Sequence, residues 1–402
     1  VAILPAVLLS DGPCVIENLP DISDVSTILR TMQSLGAQIR MINRSTVEID
    51  PRHVNSFVVS KKMAEGMRAS SYFLGALLGR MLRARVAPPG GCDFGVRPID
   101  QHIKGFEALG AKMTIENGMV DAKAMSLTGC LIYLDVVSVG ATINIMLAAA
   151  KADGLTIIEN AAREPHIVDL ANFLNSMGAN IMGAGTGVIK IRGVKHLSGA
   201  DYSIIPDQIE AGTYMAAVAT RGDILVTNVT PKHLESIIAK LRETGAEITE
   251  FDESVRVKMT HRPRKCNVKT MPHPGFPTDM QPQIAAVLSI ADGTSIITEG
   301  VWDSRFRYVE QLTFMGADIQ VDGKMAVITG VECLKPSPVR AVDLRAGAAM
   351  IIAGLSANGI TEIEEIDHID RGYENVVEKF SALGADIKRV KSFDNIKALK
   401  QA

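Results

Sequence analysis

No Cys-x-x-Cys pair occurs in the 402 residues. The five cysteines, Cys14, Cys92, Cys130, Cys266 and Cys333, are scattered and odd in number. That excludes a disulfide framework or a thiolate zinc site and suits a reducing cytoplasm. Four of them read as small buried hydrophobes. No apolar stretch approaches the roughly 18 residues that span a bilayer, so no membrane partner is expected. The opening segment, Val1 to Leu9, has no basic region and holds Pro5; it reads as a core helix or its entry, not a signal peptide. A dense basic face is also missing: the net charge is -3, which argues against nucleic acid as the main partner. No cofactor and no metal are expected. What remains is a globular chain, 47% hydrophobic and 22% charged, too long for one ordinary core, so two domains are expected.

The chain repeats itself. Leu35-Gly36-Ala37, Leu109-Gly110-Ala111, Met177-Gly178-Ala179, Thr244-Gly245-Ala246, Met315-Gly316-Ala317 and Leu383-Gly384-Ala385 share one grammar. A polar residue follows each, and then Ile39, Met113, Ile181, Ile248, Ile319 or Ile387. A near-constant period of this kind marks a repeat architecture. Ahead of the first glycine, Val25, Ile28, Leu29 and Met32 are spaced three and four apart, which predicts an amphipathic helix. The glycine supplies the left-handed residue that ends it, and a strand follows, as in Ala246 to Thr249. A second helix, apolar on several faces, belongs inside a core; Ala346 to Ala357 is an example, followed by a strand at Gly359 to Ile363. Six units could close a barrel or stack as a solenoid, but three per domain fits the length better. The boundary is expected near Ser203 to Asp207.

The segment Pro89-Gly90-Gly91-Cys92-Asp93-Phe94-Gly95-Val96-Arg97-Pro98 reads as a loop, because neither helix nor strand tolerates that mixture of glycine and proline. A guanidinium five residues from a thiol favours the thiolate and moves its pKa toward neutrality, where one group can both give and take a proton. Six further motifs occur in order: Met67-Arg68-Ala69-Ser70, Ser138-Val139-Gly140-Ala141-Thr142, Glu159 to Pro165, Phe276-Pro277-Thr278-Asp279-Met280-Gln281, Asp343-Leu344-Arg345-Ala346, and His368-Ile369-Asp370-Arg371-Gly372-Tyr373-Glu374. Together they span essentially the whole chain. In these motifs the sequence resembles the UDP-N-acetylglucosamine enolpyruvyl transferases of the EPSP synthase superfamily.

The resemblance implies a two-domain, inside-out α/β barrel of six βαβαββ repeats, three per domain (1–205 and 206–402), with the active site in the cleft between domains. It implies two small-molecule substrates, phosphoenolpyruvate and UDP-N-acetylglucosamine, and a reaction that opens peptidoglycan synthesis. Such chemistry needs one acid, one base and a cluster of cations that excludes water. By the resemblance, Cys92 is the proton donor, also able to carry a phosphoenolpyruvate adduct, and Asp279 is the base at the sugar 3-hydroxyl. Arg97, Arg345 and Arg371 bind phosphoenolpyruvate, a task suited to the planar guanidinium fork. Arg345 and Arg371 are expected to open or precede apolar helices whose amides add to the anion field. The nucleotide-sugar side falls to Arg68, Pro98, Ile99, Asp100, Gln101, Ser138, Val139, Gly140, Glu164, Val301 and Arg305. Within that set, Pro98 to Gln101 line the uracil pocket and Ser138 to Gly140 offer amides to the diphosphate. Glu164 and Arg305 serve equally well as structural partners, and His102 as a satisfied structural histidine.

Departures from the family pattern are specific. Members carry a Gly-Ala-Lys-Asn-Ala-Ala segment just before an Ala-Ile-Leu-Pro-like helix, and this sequence begins at Val1-Ala2-Ile3-Leu4-Pro5 without an initiator Met. An upstream segment bearing that lysine is therefore expected. Val136 and Gln208 stand where some members have Lys and Arg, and Trp302 stands for Phe or Tyr. The alternatives are the shikimate-pathway transferase of the same fold, a non-catalytic nucleotide-sugar sensor, and a repeat-based interaction scaffold.

Overall fold

A computed structural model describes residues 1–64, 67–88 and 99–390. The backbone of Arg68 is included and its side chain is not. The chain forms two compact units, Val1–Ile205 and Pro206–Ala402.

All six repeat glycines have positive φ, between 85° and 107°. Each follows a helix, and the bonding is the same every time. In the first copy Gly36 N donates to Gln33 O and Ala37 N to Met32 O. In the fourth, Gly245 N donates to Arg242 O and Ala246 N to Leu241 O. This double closure satisfies carbonyls that the helix end would otherwise orphan, and it requires a left-handed residue. The surroundings differ between copies. A Cβ at Gly178 would meet nothing within 4 Å, whereas one at Gly36 would lie 2.5 Å from His53 O. Gly178→Ala is expected to cost about 1–2 kcal/mol from backbone strain alone. Gly36→Ala is expected to cost more, because backbone must also move. Urea denaturation of the two variants measures the difference, and equal losses would contradict it.

Among the described residues, four repeats build a four-stranded sheet in which a parallel strand pair lies beside an antiparallel hairpin; the fourth repeat has only the antiparallel strands Gly222–Thr227, Ser254–Met259 and Glu247–Glu250, and the sixth only the parallel pair Pro338–Arg340 and Glu362–Glu364. In the second repeat the order is Val58–Val59, Arg83–Val86, Met119–Lys123, Lys112–Glu116, with the first pair parallel. In the third it is Leu131–Tyr133, Leu155–Glu159, Val188–Arg192, Asn180–Met182. The first repeat borrows its parallel partner: Asp201–Ser203, at the end of the unit, pairs with Cys14–Glu17 near its start. Unit one is therefore closed on itself. In unit two, the sheet Val268–Lys269, Thr294–Thr298, Met325–Thr329, Asp318–Asp322 repeats the plan.

Helices fill the interior. All five residues of helix Ile3–Val7, Ala141 to Ala149 of helix Val139–Ala149, and all eight of helix Gln281–Leu288 are buried. Two such helices approach closely where helix Tyr72–Met81 meets Val139–Ala149; a Cβ at Gly75 would overlap the Asn144 carbonyl oxygen. Sheets with helices inside them are the inside-out arrangement expected. The cysteines depart from expectation: Cys14 and Cys266 are buried, but Cys130 is only partly buried and Cys333 is exposed. Among the described residues, no helix is long and apolar enough to cross a membrane.

Candidate functional site

In unit two, Asp279 sits in the single turn Thr278–Met280 that leads into helix Gln281–Leu288. Its Oδ1 accepts from Arg305 Nη2 at 3.0 Å. Its Oδ2 accepts from Arg345 Nε and Nη2, both at 3.3 Å. Arg305 is 1% exposed and Arg345 13%, while Asp279 keeps 30% of its side chain accessible. The carboxylate is thus the most exposed part of the cluster, held in place by more deeply buried cations.

Arg345 opens helix Leu344–Ser356, as expected, but its helix N-terminus is already capped. Asp343 Oδ1 accepts from Arg345 N at 2.8 Å and Ala346 N at 2.9 Å. Those two amides are therefore already engaged and not available to an anion. Arg345 Nη1 donates to the Tyr373 hydroxyl at 3.1 Å. Three of the five guanidinium N–H donors are then engaged among the described residues, leaving two directions for an anion. Burial works against the charge of Arg345, but Tyr373 and the Asp279 and Asp207 carboxylates outweigh it and raise its pKa above the ordinary guanidinium value.

Tyr373 has its own orientation fixed. Thr213 spends its proton on Ile209 O at 2.8 Å, so in the 2.9 Å contact between the two hydroxyls Tyr373 must be the donor. Gln283 Nε2 donates to Thr213 Oγ1 at 3.2 Å and to Tyr373 OH at 3.4 Å. The Tyr373 oxygen therefore presents a lone pair to Arg345. Burial raises the Tyr373 pKa, keeping the phenol neutral, with Arg345 acting in the opposite direction. Thr213 and Gln283 were readable in principle, as buried polar residues within largely apolar helices. Tyr373 lies within the motif spanning 368–374, whose spacing alone does not reveal its part in this cluster.

Arg371 lies ahead of helix Val376–Ala382 but does not open it. It caps the C-terminal end of the short helix Asp367–Asp370, where a cation suits the negative end of the helix dipole. Val301 lies in a loop after strand Thr294–Thr298, and its amide donates to Glu299 Oε1 at 2.8 Å.

In unit one, Ser138 caps helix Val139–Ala149, its hydroxyl accepting from Ala141 N at 3.3 Å. Val139 and Gly140 form the first turn. Gly140 has a reason to be glycine: a Cβ would lie 3.0 Å from the His102 ring. Ile99 precedes helix Asp100–Ala108 and Asp100 is its exposed first residue. Gln101 is buried and its amide is committed within the unit, donating to Asp135 Oδ2 at 3.1 Å and accepting from Asp135 N at 2.9 Å. That makes the Gln101 side chain a clasp on the 135 segment. Glu164 precedes helix Pro165–Ser176. Cys92, Arg97 and Pro98 lie outside the described residues, as does the Arg68 side chain.

His102 is structural, as expected. Asn144 Oδ1 accepts from Gly75 N at 2.8 Å, which fixes the amide, so Asn144 Nδ2 donates to His102 Nδ1 at 3.0 Å. Burial pushes the His102 pKa down to about 4. The ordinary value is 6.5, so between those values the unfolded chain binds the extra proton. Stability falls as pH drops through that window. The stability advantage of the parent over His102→Gln is expected to shrink from pH 7 to pH 4.5 in urea melts; a constant difference would contradict it.

Among the described residues, no group of three His, Cys, Asp or Glu side chains is placed to hold a metal ion.

Residues 1–380 match the family model described as EPSP synthase (3-phosphoshikimate 1-carboxyvinyltransferase). A UDP-N-acetylglucosamine 1-carboxyvinyltransferase 3 from Caldanaerobacter subterraneus subsp. tengcongensis is 57% identical over 392 residues, covering 97% of this chain and 94% of that protein. A UDP-N-acetylglucosamine 1-carboxyvinyltransferase from Clostridium botulinum is 55% identical with the same coverage. Among solved structures, the enolpyruvyl transferase NikO from Streptomyces tendae superposes with a TM-score of 0.87 at 26% identity, over 96% of this chain and 92% of that one. An EPSP synthase from Acinetobacter baumannii shares the fold, with a TM-score of 0.76 at 18% identity over 97% and 95%.

Proposed function

Because this chain belongs to the EPSP synthase family, and within it to the UDP-N-acetylglucosamine 1-carboxyvinyltransferases, we propose that it transfers the enolpyruvyl group of phosphoenolpyruvate to the 3-hydroxyl of UDP-N-acetylglucosamine and releases phosphate. The observation that carries this reading is near-full-length identity to proteins of that name. The shikimate enzymes share only the fold at 17–18% identity. We place the reaction at the entry to peptidoglycan synthesis and the protein in the cytoplasm, where scattered thiols stay reduced.

The chemistry divides among the residues as follows. Cys92 gives a proton to the methylene carbon of phosphoenolpyruvate, which makes the adjacent carbon electrophilic. The sugar 3-oxygen bonds to that carbon while Asp279 takes the hydroxyl proton. The methyl group then returns a proton to the Cys92 thiolate, the double bond re-forms, and the carbon–oxygen bond to phosphate breaks, with phosphate leaving on the arginines. Arg97, Arg345 and Arg371 offset the charge of the phosphate and carboxylate throughout, an electrostatic task that water would weaken. Arg345 is suited to it because Tyr373 and Asp279 fix its plane before any substrate arrives. Arg305, by contrast, serves Asp279 from a buried position. Arg68, Pro98 to Gln101, Ser138 to Gly140, Glu164 and Val301 are assigned to the nucleotide sugar, with Gln101 acting through the segment it clasps.

Phosphate release from phosphoenolpyruvate by the purified full-length protein tests the choice of acceptor. Release is expected with UDP-N-acetylglucosamine and not with shikimate 3-phosphate. The reverse preference would move the protein to the shikimate reaction, and release with neither would support a binding role without turnover.

A further inference from the structure

We infer that Glu299 is a positioning residue that ties the Asp279 turn to the Val301 loop. It is 1% exposed, and its carboxylate accepts four hydrogen bonds that divide evenly between the two elements. Oε1 takes the backbone amides of Val301 at 2.8 Å and Trp302 at 3.1 Å. Oε2 takes the Thr278 hydroxyl at 3.0 Å and Gln281 Nε2 at 3.1 Å. Thr278 and Gln281 flank Asp279 on either side of its turn. One buried anion thus gathers two substrate-facing segments, and charge-assisted bonds of this kind are stronger than neutral ones.

Glu299 is itself anchored. It follows strand Thr294–Thr298 directly, and its amide donates to Lys324 O at 2.8 Å. The next amide, Gly300 N, donates to the buried Thr270 hydroxyl at 2.9 Å. A Cβ at Gly300 would overlap the Thr270 carbonyl oxygen, so the loop runs flush against the neighbouring strand segment and only glycine fits. Glu299 therefore relays the position of the sheet to both segments. The inference rests on the proposed roles of Asp279 at the sugar hydroxyl and Val301 at the nucleotide sugar, and it adds a residue that touches neither substrate.

The division of the four bonds predicts a division of kinetic effects. Thr278→Val keeps shape and cuts only the link to the base. It is expected to lower kcat about tenfold, since small misplacements of a reacting group cost rate steeply, with KM for UDP-N-acetylglucosamine within about twofold of the parent. Glu299→Gln replaces two acceptor directions by donors, so one half of the clamp must open. It is expected to lower kcat at least as much and raise KM for UDP-N-acetylglucosamine about tenfold, leaving KM for phosphoenolpyruvate within about twofold. All values are taken per folded molecule, from near-UV circular dichroism. If Glu299→Gln does not fold, Thr278→Val decides alone. Parent-like kcat in Thr278→Val, or losses that vanish once folded protein is counted, would overturn the clamp. Asp279→Asn run in parallel separates the layers. If it loses turnover while both clamp variants keep kcat and KM, only the clamp falls; if it keeps turnover, the base assignment falls and the clamp with it.

Discussion

Asp279→Asn is expected to lower turnover by about 10²- to 10⁴-fold, the usual scale of general-base catalysis, while affinity for UDP-N-acetylglucosamine changes little. The geometry supports an effect on chemistry rather than on folding. Asn keeps one oxygen to accept from Arg305 or Arg345, so the buried guanidiniums retain part of their pairing. What it lacks is the capacity to take a proton from the sugar hydroxyl. Steady-state kinetics with isothermal titration of the nucleotide sugar measures both quantities. Turnover within about twofold of the parent would remove Asp279 from the mechanism. A large fall in nucleotide-sugar affinity with parent-like kcat would make it a binding residue.

Cys92→Ala is expected to abolish turnover and labelling by fosfomycin, the epoxide that alkylates the matching cysteine in this family. Cys92→Asp is expected to keep turnover, since some relatives have Asp there, and to escape the epoxide. The other thiols offer internal controls. Burial raises the pKa of Cys14 and of Cys130. Cys266 is pushed up to about 12 by burial and by the Glu243 carboxylate that accepts its hydrogen bond at 3.0 Å. A protonated thiol is a poor nucleophile, so these three are expected to stay unlabelled. Cys333 is exposed and is the stringent control, because access alone does not set reactivity. Peptide mapping after limited exposure should find the label on Cys92 ahead of Cys333. Preferential labelling of Cys333, or normal turnover by Cys92→Ala, would count against Cys92 as the acid.

The repeat was legible because its signal is local. A glycine that ends a helix, an alanine after it, and an aliphatic residue two further on are fixed by one turn of backbone, so each copy announces itself without reference to the rest. The core helices were legible for a similar reason: Val139 to Ala149 and Leu344 to Ser356 are apolar on several faces. The closing of unit one by Asp201–Ser203 against Cys14–Glu17 was not, since parallel pairing across that separation leaves no mark in either segment.

For the site, three residues taken from separate motifs and positions, Asp279, Arg305 and Arg345, meet in one cluster, while the local partners of others were not legible. Arg371 was expected to open or precede a helix; it ends helix Asp367–Asp370 and lies ahead of helix Val376–Ala382 without opening it. Gln101 was expected to line the uracil pocket with Pro98, Ile99 and Asp100; its side chain also clasps Asp135, a bond the sequence did not reveal. The supporting residues were harder still. Thr213 and Gln283 meet partners 70 to 160 residues away, and Glu299 joins its own loop to Thr278 and Gln281; a polar side chain in a largely apolar stretch does not reveal whether it meets a ligand or another side chain.

The most direct measurement is the structure of the product itself. Full-length protein incubated with phosphoenolpyruvate labelled with carbon-13 in the methylene group and with UDP-N-acetylglucosamine should yield a nucleotide sugar bearing one carboxyvinyl ether on its 3-oxygen, visible by NMR, with one phosphate released per ether formed. An unmodified nucleotide sugar beside released phosphate and pyruvate, or an ether at any other hydroxyl, would contradict enolpyruvyl transfer to the 3-position.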